Sequence, residues 1–224
     1  METARPQKPS ASFVSRDVAG VPGGRGEKRL KQLRFLYTPL VEFVASEGRG
    51  RPLVVDVGTG SGIALERIRE RLPSARLIGL DIRSEPMQLG AAGLAFVRAD
   101  AANLPFADES VDVVVSRSSF AYCDDHARTL NEMLRVLRPG GCAYITDANA
   151  GPFRRLLIIA AGMVLLRRDY ADMSGFSDRA LSRKRLAALL SQVGVADYDY
   201  GRLFFGTYFR LVVRKPPASG TTAC

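Results

Sequence analysis

Residues 53–63 read LVVDVGTGSGI: a short apolar run holding one acid, then glycine at 58, 60 and 62. A run this short, rich in valine and followed at once by glycines, predicts a strand buried on both faces in a parallel sheet. The next stretch, SGIALERIRERL, predicts a helix starting near Ser61 and ended by Pro73. Strand, glycine turn and helix together make a β-α unit, which confines the chain to a small set of open α/β architectures.

The alternation continues. RLIGLD (76–81), AFVRAD (95–100), VDVVVS (111–116) and CAYITDA (142–148) are strand-like. Between them, SEPMQLGAAG (84–93) suits a helix opened by Ser84, and HARTLNEMLRVL (126–137) is an amphipathic helix stopped by RPGG. A helix over 182–194 is capped by Ser182 and closed by Gly194. VADYDYG and FFGTYFRLVVRK then read as two tightly joined, antiparallel strands. The series implies a mostly parallel sheet covered on both faces. Helical spacing over 28–46 is interrupted by Pro39, which predicts a kink or a division of the helix. Residues 1–26 are expected to form a mobile arm, 27–215 the domain, and 216–224 a frayed tail.

Composition removes several function classes. The net charge is +9, with 27 Arg against 5 Lys, but no run of five basic residues concentrates it. Specific nucleic-acid binding is therefore not expected. Cys123, Cys142 and Cys224 are an odd set without CxxC spacing, so neither a disulfide framework nor a zinc site is expected, and a reducing, cytoplasmic setting is. METARPQKPSASF has no apolar core of a secretory signal. The longest apolar run, LLIIAAGMVLL at 156–166, has 11 residues, short of the ~20 that a spanning helix needs.

A turn without side chains lets a ligand press on the backbone. A dinucleotide fingerprint, G-x-G-x-x-G, would put its third glycine at 63, which is Ile63, and no phosphate P-loop string occurs. The pattern here is acid-x-G-x-G-x-G from Asp56. A carboxylate beside the turn repels a pyrophosphate but suits a ligand carrying an amine and a sulfonium.

VVDVGTGSG, IGLDI, VRADAANLPFADESVDVVVSRSSF and LRPGG, in this order, resemble the class I S-adenosylmethionine-dependent methyltransferases of the small-molecule type 11 group, over roughly residues 50–148. The resemblance implies a Rossmann-like three-layer sandwich: a seven-stranded, mostly parallel sheet with the last strand antiparallel. It also implies roles. Asp56 lies near the methionine amine. Gly58, Thr59, Gly60 and Gly62 line the methionine and ribose. Asp81 accepts from the ribose hydroxyls, and Ile82 and Met87 make apolar contacts to adenine and ribose. Asp100 accepts from the adenine amine beside the Ala101 N–H, and Ser116 approaches the methionine. The cofactor is S-adenosylmethionine, the product S-adenosylhomocysteine, and no metal is implied.

On the acceptor side, Arg117, Ser118, Ser119 and Tyr122 follow the fourth strand and could face the acceptor. Asp124 and Asp125 suit helix caps. His126, the one histidine, is either a polar residue in a first helical turn or a general base; His126 and Tyr122 are the catalytic candidates. FRRLLIIAAGMVLLRRDY (153–170), within a stretch 153–181 that reads as an acceptor cap, brings Tyr170 and arginine pairs. It suits a helix packed on the sheet, a lid over a greasy acceptor, or a patch touching a membrane surface. The string that marks methyltransferases acting on nucleic-acid amines is absent after strand four. The expected function is methyl transfer to a small apolar or aromatic metabolite, with the acceptor atom open. RNA or protein methylation, and a non-methylating scaffold or cyclisation catalyst, are the alternatives.

Overall fold

A computed structural model describes residues 34–83, 94–150, 156, 160 and 179–218. Seven strands form one sheet: β1 Leu53–Val57, β2 Arg76–Asp81, β3 Ala95–Arg98, β4 Val111–Arg117, β5 Leu137–Ala148, β6 Tyr198–Leu203 and β7 Tyr208–Arg214. Their spatial order is β3-β2-β1-β4-β5-β7-β6. The pairs from β3 to β5 are parallel, and β7 runs antiparallel to both β5 and β6. The chain steps outward from β1 to β3, then returns to the other side of β1 with β4. That reversal opens a crevice at the carboxyl ends of β1 and β4, where ligands bind in open α/β sheets.

Two apolar layers hold helices on the sheet. On one face, α1 (Thr38–Glu47) and α2 (Ile63–Arg71) bury Leu40, Val44, Leu65 and Ile68 against Val54, Val113, Val115 and Tyr144. On the other, α3 (His126–Val136) and α4 (Arg183–Gln192) bury Leu130, Met133, Leu186 and Leu190 against Val55, Val114, Ile145 and Phe209. Each such aliphatic side chain contributes about 1.5–3 kcal/mol when fully buried. β1 lies between the layers, and all five of its residues are buried. Apolar residues on both faces are therefore what this strand requires, and Asp56 is the one exception.

Several boundaries differ from the sequence reading for local reasons. Pro39 marks a division rather than a kink: a 3-10 turn, Arg34–Leu36, precedes α1, and Pro39 sits in the first turn of α1, where its missing N–H costs nothing. α2 starts at Ile63 after a left-handed Gly62 at φ 78°, not at Ser61. α3 ends at Val136, and Arg138-Pro139-Gly140-Gly141 belongs to the long β5, with a register shift against β4 between Val111 and Val113. The last strand in sequence is antiparallel as expected, and β7 lies inside the sheet with β6 at its edge. The helix expected over 84–93, the arm 1–26 and the tail beyond 218 lie outside the described residues, as does the cap over 153–178 save Leu156 and Ala160.

Candidate functional site

The turn after β1 hangs on the end of β2. The Gly58 and Thr59 N–H groups both donate to Leu80 O at 2.8 Å, and the Gly60 N–H donates to Asp81 Oδ2 at 3.0 Å. Gly58, Gly60 and Gly62 all have positive φ, at 75°, 54° and 78°. Their surroundings separate them. A Cβ at Gly58 would lie 2.3 Å from Ser119 Cβ, and one at Gly62 would lie 2.9 Å from Phe96 Cζ. Among the described residues, a Cβ at Gly60 would meet nothing within 4 Å. Two glycines therefore admit the protein's own side chains, and only Gly60 leaves bare backbone facing open space.

Two carboxylates flank that opening. Asp56, at the end of β1, is 2% exposed, and burial pushes its carboxyl up to about 7. The Thr59 hydroxyl and Arg117 oppose the rise, and the Asp81 charge adds to it. Asp81 ends β2; its Oδ1 accepts from the Arg83 N–H at 3.0 Å and from Arg83 Nε at 3.3 Å. Ile82, next in the chain, is 59% exposed, an uncovered apolar surface beside the carboxylate. Asp100 is exposed after β3, and its Oδ1 accepts from the Ala102 N–H at 2.9 Å in a tight turn; Ala101 is half-buried against the core. Bare backbone at Gly60, an acid on either side and an exposed aliphatic platform form a cradle. It fits a ligand with an amine, a diol and a flat ring.

The segment after β4 forms the other wall. Ser116 Oγ lies 2.8 Å from Ser119 Oγ, which donates to Val57 O at 2.8 Å. Both hydroxyls are thus used in joining β4 to β1, and Ser119 fills the space that Gly58 leaves. Ser118 is left-handed at φ 55°, and its buried hydroxyl has no partner among the described residues. Strain of this kind in a non-glycine residue concentrates at functional sites. The Arg117 guanidinium stacks 4.2 Å from the Tyr37 ring centre. Tyr122 ends a 3-10 turn, Phe120–Tyr122, with the Arg179 guanidinium 5.1 Å from its ring. Asp125 caps α3 by accepting from the Arg128 N–H at 2.9 Å. His126 is half-buried with its ring edge-on to Phe120 at 5.2 Å. Burial, then Arg185, lowers its pKa against the pull of Asp125 and Asp124, and its Nε2 has no partner among the described residues. Met87 and Tyr170 lie outside the described residues.

The sequence reading passed over Asp147. It is fully buried near the end of β5, and its oxygens accept from the Ala121 N–H at 2.9 Å and the Ala148 N–H at 2.7 Å. It thereby pins the Phe120–Tyr122 turn to the sheet. Burial raises its carboxyl to about 6; the backbone donors and Arg117 limit the rise. The available signal was one acid inside the otherwise apolar CAYITDA.

Among the described residues no group of three or more His, Cys, Asp or Glu could hold a metal, and no helix is long and apolar enough to cross a membrane.

With this geometry in hand, the chain can be set beside known proteins. The family model for a methyltransferase domain, type 11, matches residues 55–145. A malonyl-[acyl-carrier protein] O-methyltransferase of Coxiella burnetii is 35% identical over 141 residues, covering 62% of this chain and 45% of that protein. A phthiotriol/phenolphthiotriol dimycocerosates methyltransferase of Mycobacterium ulcerans is 41% identical over 100 residues, covering 42% and 36%. The plantazolicin methyltransferase BpumL, solved with a substrate analogue and S-adenosylhomocysteine, superposes with a TM-score of 0.68 at 17% identity, covering 86% and 87%. The chain spans less than half the length of the curated relatives it matches.

Proposed function

We infer that the chain is a class I S-adenosylmethionine-dependent methyltransferase of the type 11 group, supported by the family match and the curated relatives, and that it transfers a methyl group to a small, apolar or aromatic acceptor. The observation that carries this reading is Gly60: left-handed, bare toward open space, and tied by its N–H to Asp81 between two acids. S-adenosylmethionine, when bound, supplies a methyl group already activated on a cationic sulfonium. The protein's task is then to bind, orient and exclude water rather than to generate a nucleophile.

In this reading Asp56 takes the amine of the methionine end. An ammonium beside it restores its ionised form, which burial disfavours in the free protein. Asp81 has lone pairs left after Gly60 and Arg83 and accepts from the ribose hydroxyls. Ile82 underlies the ring. Asp100, with Ala101, borders the adenine. Ser116 and Ser119 hold the β1 and β4 ends together, and Ser118, Arg117 and Tyr122 face the acceptor. Burial and Arg185 favour the uncharged imidazole of His126.

The printed names of relatives support a small-molecule or carrier-linked acceptor: malonyl-[acyl-carrier protein] in one, demethylmenaquinone in another, phthiotriol dimycocerosates in a third. The last two are greasy, in keeping with an apolar acceptor. A metabolite screen with S-adenosylmethionine, read by mass for products heavier by one methylene, tests the assignment. S-adenosylhomocysteine should accumulate in step with the heavier product.

A further inference from the structure

Two hydroxyls of β5, Thr146 Oγ1 and Tyr144 OH, are buried without a partner among the described residues. Donors buried without acceptors are uncommon in folded proteins and point to a missing water, ion or ligand. Thr146 lies opposite Arg117 on β4 and Arg210 on β7, so the three side chains share the α1 face of the sheet. Tyr144, two residues earlier, shares that face. Arg210 is ion-paired with Asp199. Arg117 is held by stacking, 4.2 Å from the Tyr37 ring centre and 6.0 Å from that of Tyr208, and makes no ion pair among the described residues. Arg117 feels the buried Asp56 and Asp147 carboxyls through space but pairs with neither, and it stands beside a hydroxyl without a partner among the described residues, in a niche walled by two tyrosines.

We propose that Arg117 and Thr146, between Tyr37 and Tyr208, form a subsite for a carboxylate of the acceptor. This rests on the methyltransferase reading and adds a substrate class to it: an apolar or aromatic acid. The cofactor cradle runs from β1 toward β3, through Asp81 and Asp100. Arg117 and Thr146 lie the other way, one and two strands from β1, about 5 and 10 Å at the usual strand spacing. A carboxylate there is an anchor. It pairs with the guanidinium, accepts from the Thr146 hydroxyl, and no bond to it forms or breaks. Its aromatic or aliphatic remainder is left to span the space between Tyr208 and the wall after β4.

The test titrates the S-adenosylhomocysteine-loaded protein with 4-phenylbutyrate and with its neutral amide. The carboxylate should bind at least about tenfold more tightly, the size expected of one charged hydrogen bond. Arg117→Met should abolish that preference and Thr146→Val should reduce it, with S-adenosylhomocysteine affinity held within about twofold in both. Thr146→Val is nearly isosteric and keeps the test available if the arginine variant does not fold. Equal binding of the two probes, or binding of neither, overturns the subsite. A loss of S-adenosylhomocysteine affinity in Arg117→Met as large as the loss for phenylbutyrate also overturns it, by assigning the arginine to the amino-acid end of the cofactor. Failure of the unmodified protein to bind S-adenosylhomocysteine at all is a separate outcome, which removes the methyltransferase reading and the subsite with it.

Discussion

Replacing Asp56 with Asn should stabilise the fold in alkali while weakening the cofactor site. The carboxyl rises from 3.8 to about 7 on folding, first because burial strips its water. A raised acid favours folding while protonated. Its contribution is complete below pH 4 and is lost as pH climbs through 7. At 1.36 kcal/mol per pH unit, keeping Asp56 ionised above pH 7 opposes folding by up to about 4 kcal/mol. Structural relaxation and water entry reduce that ceiling, so the expected gain for Asp56→Asn is about 1–3 kcal/mol at pH 8.5 and about a quarter of that at pH 4.5. The same variant loses the charge offered to an ammonium, so S-adenosylhomocysteine should bind at least about tenfold more weakly, about 1.4 kcal/mol. Urea unfolding at the two pH values, with calorimetric titration at pH 8, measures both. A stability change equal at pH 4.5 and 8.5 would refute the burial argument. Unchanged affinity would refute the role of Asp56 in holding the amine.

The glycines should separate by experiment. Gly60→Val should keep the fold at a cost of about 1–2 kcal/mol for a left-handed branched residue, since no described residue lies within 4 Å of the new Cβ, and should lose cofactor binding. Gly58→Ala should be more destabilising, because its Cβ would meet Ser119 Cβ at 2.3 Å; adding Ser119→Gly should recover part of the loss, read as a double-mutant cycle in urea. Asp81→Ala should weaken S-adenosylhomocysteine at least about tenfold and also free the Gly60 N–H, which hydrogen exchange would detect. His126→Ala should keep turnover within about tenfold, whereas a fall of 10²–10⁴ would mark it as a general base.

The frame of this fold is written locally, and the sequence shows it. The largely apolar β1 with its one acid, the glycines after it and the helix after them are consequences of near-neighbour chemistry. So is the acid at the end of β2, because an isolated Asp closing RLIGLD has no place in the core. What the glycines are for is not local. Gly58 exists for Ser119 and Gly62 for Phe96, partners 61 and 34 positions away, and a string cannot distinguish them from Gly60. The same holds for Ser116 and Ser119, whose hydroxyls read as free for a ligand until the β1–β4 crossing directs one to Val57 O. Asp147 was hidden because an acid in a strand usually faces water, whereas here backbone N–H groups of a turn 26 residues earlier satisfy it. Arg138-Pro139-Gly140-Gly141 read as a stop because proline and two glycines break helices. Here they open β5 with a left-handed Gly140 at φ 77°, where the strand shifts register against β4.

Calorimetric titration of S-adenosylhomocysteine into the unmodified protein and Gly60→Val tests the central claim most directly. The account predicts one site per chain with micromolar or tighter affinity in the unmodified protein. It predicts no measurable heat in the variant, which retains a native circular dichroism spectrum. Absence of binding to the unmodified folded protein, or undiminished binding to Gly60→Val, would contradict it.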